Sequence, residues 1–236
     1  MAATETRLLL LGAVSLFEPV NGYQIRRELM SWGVEDWAHI NPGSIYSSLT
    51  TMTKQGLLTR HDLPEGSREV AVYLSTDAGR HELGRLFGRA LEQVTLLDPL
   101  PFHTALSMCV LFPRASVTQH LEVRADALDR LLEDIGQTRL AVATGLAPPH
   151  VARWMDLHLE LARAERTWLA ELLQEIAAGE LAFAGEPFAW HPAPEDPSWQ
   201  LAADRERYRA LLGLTDRRVD APALTANVTP RHSIQT

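Results

Sequence analysis

A capped helix followed directly by a hairpin pattern is the feature that most constrains the fold of this chain. Asn41 can cap a helix with its side chain, and Pro42 presets the backbone φ of the first helical residue. The helix predicted over residues 42–56 ends at a glycine, and two short runs rich in aliphatic and β-branched residues follow. These runs flank a Pro/Gly turn at 64–67, which predicts a β-hairpin immediately behind the helix.

Helices are predicted on both sides of this pattern. Residues 6–17 form an apolar stretch of helix length, and Asn21 is placed to cap a second helix over 22–32. Ser75 or Thr76 can cap a further helix that we expect to run to about residue 97. Helix, helix, capped helix and hairpin is the order of a winged helix-turn-helix domain. On the second helix we expect Tyr23, Ile25, Leu29 and Trp32 to share the buried face, and Arg26, Arg27 and Glu28 to be more exposed.

The helix over 42–56 carries the pattern expected of a DNA-reading helix. Ile45, Leu49 and Met52 share one face at helical spacing, which leaves the small hydroxyl residues and the chain's only lysine, Lys54, on the other. This outward face has no acidic residue. Small hydroxyl side chains allow close approach to a DNA groove, and the helix N-terminus offers backbone N–H groups to a phosphate. A merely solvated polar face is the alternative for the helix taken alone.

The hairpin turn adds a second candidate contact, because an arginine at a wing tip can enter a minor groove or reach a phosphate. An ordinary surface arginine is the alternative. The candidate DNA-contacting residues are Gly43, Ser44, Tyr46, Ser47, Thr50, Thr51, Lys54, Gly66, Ser67 and Arg68.

Beyond a proline-marked joint at DPLPFH the pattern is almost wholly helical, with segments predicted over 103–111, 115–143 and 148–179. The apolar arcs of the last two segments are wider than three helices readily bury, which favours helices from a second chain completing the core. A self-contained three-helix domain stays open as the alternative. The residues expected at a dimer interface are Leu121, Leu128, Leu132, Trp154, His158, Leu161, Trp168 and Leu172.

The fold class is therefore mainly α with a small β-hairpin wing: an N-terminal winged helix-turn-helix domain and a C-terminal helical dimerisation domain. We place these domains at 1–98 and 99–184. For 185–236 we expect a Pro-rich linker, a short helix over 198–212 and a disordered tail.

Composition bears on compartment and on chemistry. A formal net charge of −8 excludes a basic protein that coats polyanions. One cysteine, Cys109, among apolar neighbours is expected to be an inert buried thiol and fits a reducing cytosol. The first apolar run is too short for a membrane span or secretory signal, so we expect a cytoplasmic protein. Neither a metal site nor a cofactor is predicted, because paired ligand motifs and Gly-rich phosphate loops are missing from the sequence.

Four segments in unbroken order make the chain similar to the PadR family of bacterial transcriptional regulators. They read LLLLGAVS, NGYQIRREL, NPGSIYSSLTTMTKQGLL and EGSREVAVYLSTDAGRHEL, and they cover residues 7 to about 90. Residues 102–180 also resemble the helical C-terminal domain of longer members. The resemblance implies a homodimer that represses transcription by binding double-stranded DNA at an inverted-repeat operator. It also implies release by a small effector, which is aromatic or drug-like in several members.

The wing departs from the family's pattern, because many members carry several consecutive basic residues there, whereas here Arg68 is followed by Glu69 and Val70. Residues 1–98 hold 9 basic and 12 acidic side chains, which is an acidic balance. It predicts weak non-specific DNA affinity and a shallow salt dependence. Two other function classes are a winged helix used only for protein contact, which stays open, and an enzyme, for which the sequence shows no catalytic motif. Aromatic and histidine side chains near the joint are candidates for an effector pocket: Trp32, Trp37, Phe102, His103, Trp154 and Trp168.

Overall fold

In a computed structural model the chain is mainly helical with one small sheet, and the structure describes residues 2–38, 40–187, 193, 195, 196 and 198–214. The elements up to the joint are α1 (Ala2–Phe17), β1 (Val20–Asn21), α2 (Gly22–Ser31), α3 (Val34–Trp37), α4 (Pro42–Lys54), β2 (Leu58–Glu65), β3 (Arg68–Ser75) and α5 (Asp77–Glu92). Beyond it lie α6 (Leu100–Leu106), a 3-10 turn (Cys109–Leu111), α7 (Arg114–Ala141), a bend over Val142–Leu146, α8 (Pro149–Ala178) and α9 (Ser198–Leu211). This order confirms the predicted mainly α fold class with a winged helix at its N-terminal end.

Helix α1 lies at the centre of the core. Its four consecutive leucines, 8–11, are each at most 2% exposed, so the helix is covered on all sides. A Cβ atom at Gly12 would collide with the Met108 sulfur, which shows how closely α1 approaches the segment after α6. The same helix therefore contacts both the winged helix and the C-terminal helices. None of the helices that the structure describes is long and apolar enough to cross a membrane.

Side-chain caps fix where three of the N-terminal helices begin, as the sequence predicts. Asn21 and Gln24 form a reciprocal capping box at the start of α2. Asn41 Oδ1 accepts a hydrogen bond from the Gly43 N–H at 2.8 Å and caps α4. Of the two candidates for α5, Thr76 is the cap, and its hydroxyl oxygen accepts from the Gly79 N–H at 3.0 Å.

The sheet has the strand order β1-β3-β2 and is antiparallel throughout. The predicted hairpin is confirmed, and its register runs from Leu58 opposite Ser75 to Glu65 opposite Arg68. Gly66 turns the chain between these strands with a φ of 63°, a left-handed conformation that favours glycine. Strand β1 was not predicted, because two residues are too short to show any alternation of apolar and polar side chains.

Two details of the helices differ from the sequence prediction. Helix α5 ends at Glu92 rather than about residue 97, since Gln93 is extended and the carbonyls of Leu91 and Gln93 accept hydrogen bonds from the Arg124 guanidinium. On α2, Tyr23 is 64% exposed and Glu28 is buried. Two residues along a helix turn by about 200°, so a buried Ile25 sends Tyr23 to the opposite side.

Helices α7 and α8 form an antiparallel pair. Three contacts define the direction: Arg114 bonds the Ile176 carbonyl, Arg124 pairs with Glu165 at 2.6 Å and Arg139 pairs with Asp156 at 2.7 Å. Both helices lie within two residues of the segments predicted over 115–143 and 148–179. The segment predicted over 103–111 differs, because α6 begins at Leu100 and ends at Leu106, before the 3-10 turn. Helix α9 lies within one residue of the short helix expected at 198–212. The disordered tail expected beyond it, and most of the Pro-rich linker, lie outside the described residues.

Candidate nucleic-acid interface

The outward face of α4 is open to solvent. Ile45, Leu49 and Met52 are at most 2% exposed and pack into the core, which turns the hydroxyl residues outward. Ser47, Thr50, Thr51 and Lys54 are all exposed, Ser44 is half-buried, and Tyr46 is 42% exposed. The structure therefore brings the candidate contacts of this helix together on one acid-free surface.

The hydroxyl groups on this face donate hydrogen bonds to carbonyls of their own helix. Ser47 Oγ donates to the Ser44 carbonyl, Thr50 Oγ1 to the Tyr46 carbonyl and Thr51 Oγ1 to the Ser47 carbonyl, each at 2.9 Å. Their protons are thereby occupied, while their oxygen lone pairs remain available as acceptors. In this arrangement the face can accept from base amino groups directly, whereas donation to a phosphate requires a hydroxyl to rotate away from its carbonyl.

The N-terminus of α4 differs from the sequence prediction of free backbone N–H groups. The Gly43 N–H donates to Asn41 Oδ1 at 2.8 Å and the Ser44 N–H donates to the Asn41 carbonyl at 2.9 Å, while Pro42 has no N–H. Asn41 thus occupies both donors, the first with its side chain and the second with its main-chain carbonyl. A phosphate at this end would be attracted by the helix dipole, but displacing the Asn41 side chain would free only the Gly43 N–H.

The wing tip lies at the turn between β2 and β3. Gly66, Ser67 and Arg68 are exposed there, as the sequence analysis expects of contact residues. Glu65, the cross-strand neighbour of Arg68, pairs with Arg207 of α9 at 2.5 Å.

The basic side chains around this surface differ in whether they already form an ion pair with an acidic residue. Arg27 pairs with Glu28 at 2.6 Å and Arg60 pairs with Asp62 at 2.7 Å. Within the part of the chain that the structure describes, Arg26, Lys54 and Arg68 form no ion pair. These three cations are the ones available to a polyanion without breaking an existing pair.

The residues expected at a dimer interface separate into buried and exposed groups. Leu121 and Leu128 are fully buried inside the chain's own core, His158 is buried, and Leu132 and Leu172 are half-buried. Trp154, Leu161 and Trp168 are 56%, 40% and 42% exposed, and the unpredicted Leu157 is 54% exposed.

The six effector-pocket candidates differ in their surroundings. Trp37 Nε1 donates to the Trp32 carbonyl at 3.0 Å in the winged helix. Phe102 is buried and meets Trp168 edge-on with ring centroids 6.0 Å apart. The other two, His103 and Trp154, are exposed. A groove of about 510 Å³ between α5 and α7 is lined by other residues: Gly84, Arg85, Gly88, Arg89, Glu92, Gln93 and His120.

Cys109 and His158 have local structural partners. Burial raises the pKa of the Cys109 thiol to about 12, which keeps it protonated and unreactive at neutral pH, as the sequence analysis expects. His158 Nδ1 lies 2.9 Å from the Trp154 carbonyl oxygen, and the centroids of the His158 and Trp154 rings are 4.0 Å apart. Among the described residues, no group of three or more His, Cys, Asp or Glu side chains is placed to hold a metal ion.

Sequence reasoning missed the contact between α9 and the wing. The sequence pattern that indicates this contact lies in β3, where REVAVYLS has apolar residues at both odd and even positions. A strand with one solvated face alternates between apolar and polar residues, so this run indicates that something covers the second face.

Three helices, α1, α2 and α4, followed by a hairpin define a winged helix-turn-helix domain. Residues 10–85 match the sequence profile of the Transcriptional regulator PadR-like family, and this part of the chain is a PadR-like domain. The resemblance stated from the four N-terminal sequence motifs is thereby confirmed over residues 10–85.

The solved structures that are similar to this chain include the following two. One is "Crystal structure of Bacillus subtilis PadR in complex with operator DNA", at 20% identity and a TM-score of 0.31, covering 72% of this chain and 96% of that one. The other is smu.1604c from Streptococcus mutans UA159, at 16% identity and a TM-score of 0.32, covering 71% of this chain and 98% of that one. A comparison with curated proteins found no match.

Proposed function

We propose that this protein is a transcriptional regulator that binds double-stranded DNA through α4 and the wing. The observation that carries the proposal is the exposed face of α4, which has small hydroxyl side chains and Lys54, no acidic residue, and a wing-tip arginine on the hairpin that follows. Such a face can enter a major groove while Arg68 reaches the backbone or the minor groove. The PadR-like domain at 10–85 supports the same assignment.

The proposal includes a homodimer. Trp154, Leu157, Leu161 and Trp168 lie within about 60° on one face of α8, at steps of three, four and seven residues. All four are at least 40% exposed. A stripe of large apolar side chains of this length suits a second copy of the same helix, related by a two-fold axis. Two copies of α4 would then read an inverted repeat with half-sites roughly 10 bp apart.

Repression and its release by a small aromatic effector complete the proposal. Both rest on the resemblance to the PadR family. Of the aromatic candidates, Phe102 and Trp168 meet edge-on with ring centroids 6.0 Å apart, and Trp168 is 42% exposed. This pair is therefore the one we propose a small aromatic ligand would contact.

The test is a gel shift with the DNA upstream of the protein's own gene, at moderate salt and with competitor DNA. Wild-type protein is expected to give a discrete band, and Lys54→Glu is expected to abolish it while leaving the oligomeric state unchanged. Arg163→Glu is the matched control, because Arg163 is exposed on the side of α8 opposite the apolar stripe. Equal binding by wild type and Lys54→Glu would contradict the assignment of the reading face.

A winged helix that contacts protein instead of DNA is the second candidate function. The observation that favours it is the net charge of −3 on residues 1–98, with acidic Glu65 and Glu69 close to the wing tip. Selection from random duplexes separates the two, since a protein-contact module enriches no sequence at any salt concentration.

A further inference from the structure

Helix α9 packs on the outer face of the wing. Tyr208 is fully buried there against Leu63 and Val72, with Val70 and Leu212 at the edge of the cluster. Ala71 and Tyr73 of the same strand face the main core, so β3 is covered on both sides. The wing of this protein is therefore the middle layer between the main core and a C-terminal helix.

Polar contacts tie α9 to the start of α2 as well. The Tyr208 hydroxyl accepts a hydrogen bond from Asn21 Nδ2 at 2.9 Å, and Gln24 Nε2 donates to Asp204 Oδ2 at 2.9 Å. Asn21 and Gln24 are the two members of the capping box of α2, and each uses its amide N–H group on α9. Helix α9 thus connects the start of α2 to the wing.

Arg207 forms an ion pair with a carboxylate at the wing tip. Its guanidinium lies 2.5 Å from Glu65 Oε1, and the Tyr208 hydroxyl donates to the same oxygen at 3.3 Å. Burial raises the pKa of the Tyr208 hydroxyl, which keeps it protonated for this bond. Glu65 and Arg68 are cross-strand partners, and partners at such positions lie close enough to form an ion pair. Arg207 therefore holds the carboxylate that would otherwise be the nearest partner of Arg68.

We propose that Arg207 of α9 is a positioning residue for DNA binding, because it neutralises Glu65 and leaves Arg68 available to the DNA backbone. This inference rests on the proposed function. Arg207 also lies 3.2 Å from Asp204 Oδ1, and Glu69 follows Arg68 in the chain. Removing Arg207 therefore makes the net charge around the wing tip more negative by one unit. The face of α4 is exposed with α9 docked, so α9 adds to the interface without covering the reading helix.

The test uses the full chain and a duplex that the wild-type protein has itself selected from random DNA. Arg207→Gln is expected to lower affinity about fivefold and to make the dependence of log K on log salt shallower by roughly one ion per chain, or about two for the dimer. Arg163→Gln makes the same charge change away from the wing and is expected to bind as wild type does.

The double variant Glu65→Gln with Arg207→Gln separates a charge effect from loss of structure. It is expected to return within about twofold of wild-type affinity, because no carboxylate is left to compete for Arg68. Unchanged affinity of Arg207→Gln, tighter binding by it, or failure of the double variant to recover would each overturn the inference. If wild-type protein selects no duplex, the proposed function itself fails, which is a different result from a wild type that binds and an Arg207→Gln variant that binds equally.

Discussion

A buried arginine shows most clearly how single residues hold the two parts of this chain together. Arg124 is 1% exposed, and its guanidinium lies over the Phe102 ring. It bonds Glu165 of α8 at 2.6 Å and the Gln93 carbonyl beyond α5 at 2.6 Å. One side chain therefore stops α5, orders the joint and connects α7 to α8.

Replacing this residue by alanine leaves a half-buried carboxylate and two carbonyls without their donor. We expect Arg124→Ala to lower the free energy of unfolding by about 3–5 kcal/mol, measured by chemical denaturation. Arg166→Ala is the control, since Arg166 links the same two helices through Asp129 at a more exposed position and should cost less than about 1 kcal/mol. Equal effects of the two substitutions would contradict the role given to Arg124.

Arg124 and the leucines beside it on α7 also show what the sequence can predict about single residues. The apolar stripe of α7 indicates that Leu121 and Leu128 are buried, because burial follows helical spacing, but it does not tell the chain's own core, where they lie, from the dimer interface at which they were expected. The buried charge was not predicted, since its partners Gln93 and Glu165 lie 31 and 41 residues away and no local pattern connects them to Arg124.

At the scale of elements, α5 contains two glycines with opposite requirements. Gly79 lies in the first turn, where a Cβ atom would overlap the Leu57 carbonyl oxygen, whereas a Cβ atom at Gly84 meets no other atom within 4 Å. We expect Gly79→Ala to destabilise the fold by about 2–3 kcal/mol, because the backbone of the wing must move.

The companion change Gly84→Ala should stabilise the protein by about 0.5–1 kcal/mol, since alanine loses less backbone entropy in a helix. Thermal unfolding of the two variants beside wild type measures both effects. A Gly79→Ala protein as stable as Gly84→Ala would show that α5 does not approach the wing as closely as described.

Elements with local signals were predicted well, and elements with long-range causes were not. Asn41 and Thr76 fix helix starts through hydrogen bonds within three residues, Pro42 does so by presetting its backbone φ, and the hairpin follows from its turn. Strand β1 forms by pairing with β3, and α9 packs on the face of the same strand, although both lie far from β3 along the chain. The candidate interface followed from local patterns too, but the cap that occupies the α4 N–H groups and the pairing of Glu65 with Arg207 needed the structure.

At the scale of the whole molecule, an acidic chain is proposed to bind a polyanion. With a net charge of −8 per chain, long-range attraction cannot supply the affinity, so binding must come from a few well-placed contacts presented twice. Dimerisation through α8 and recognition through α4 are therefore linked in this account, because either half alone offers too few contacts to select a site.

The most direct test of this account is selection from random duplex DNA by the full-length protein, followed by the mass of the complex it forms with the enriched sequence. We expect a two-fold symmetric motif with half-site centres roughly 10 bp apart, bound by two chains per duplex. Enrichment of no sequence, or of an asymmetric site bound by a single chain, would contradict the claim that this winged helix reads DNA as a symmetric pair.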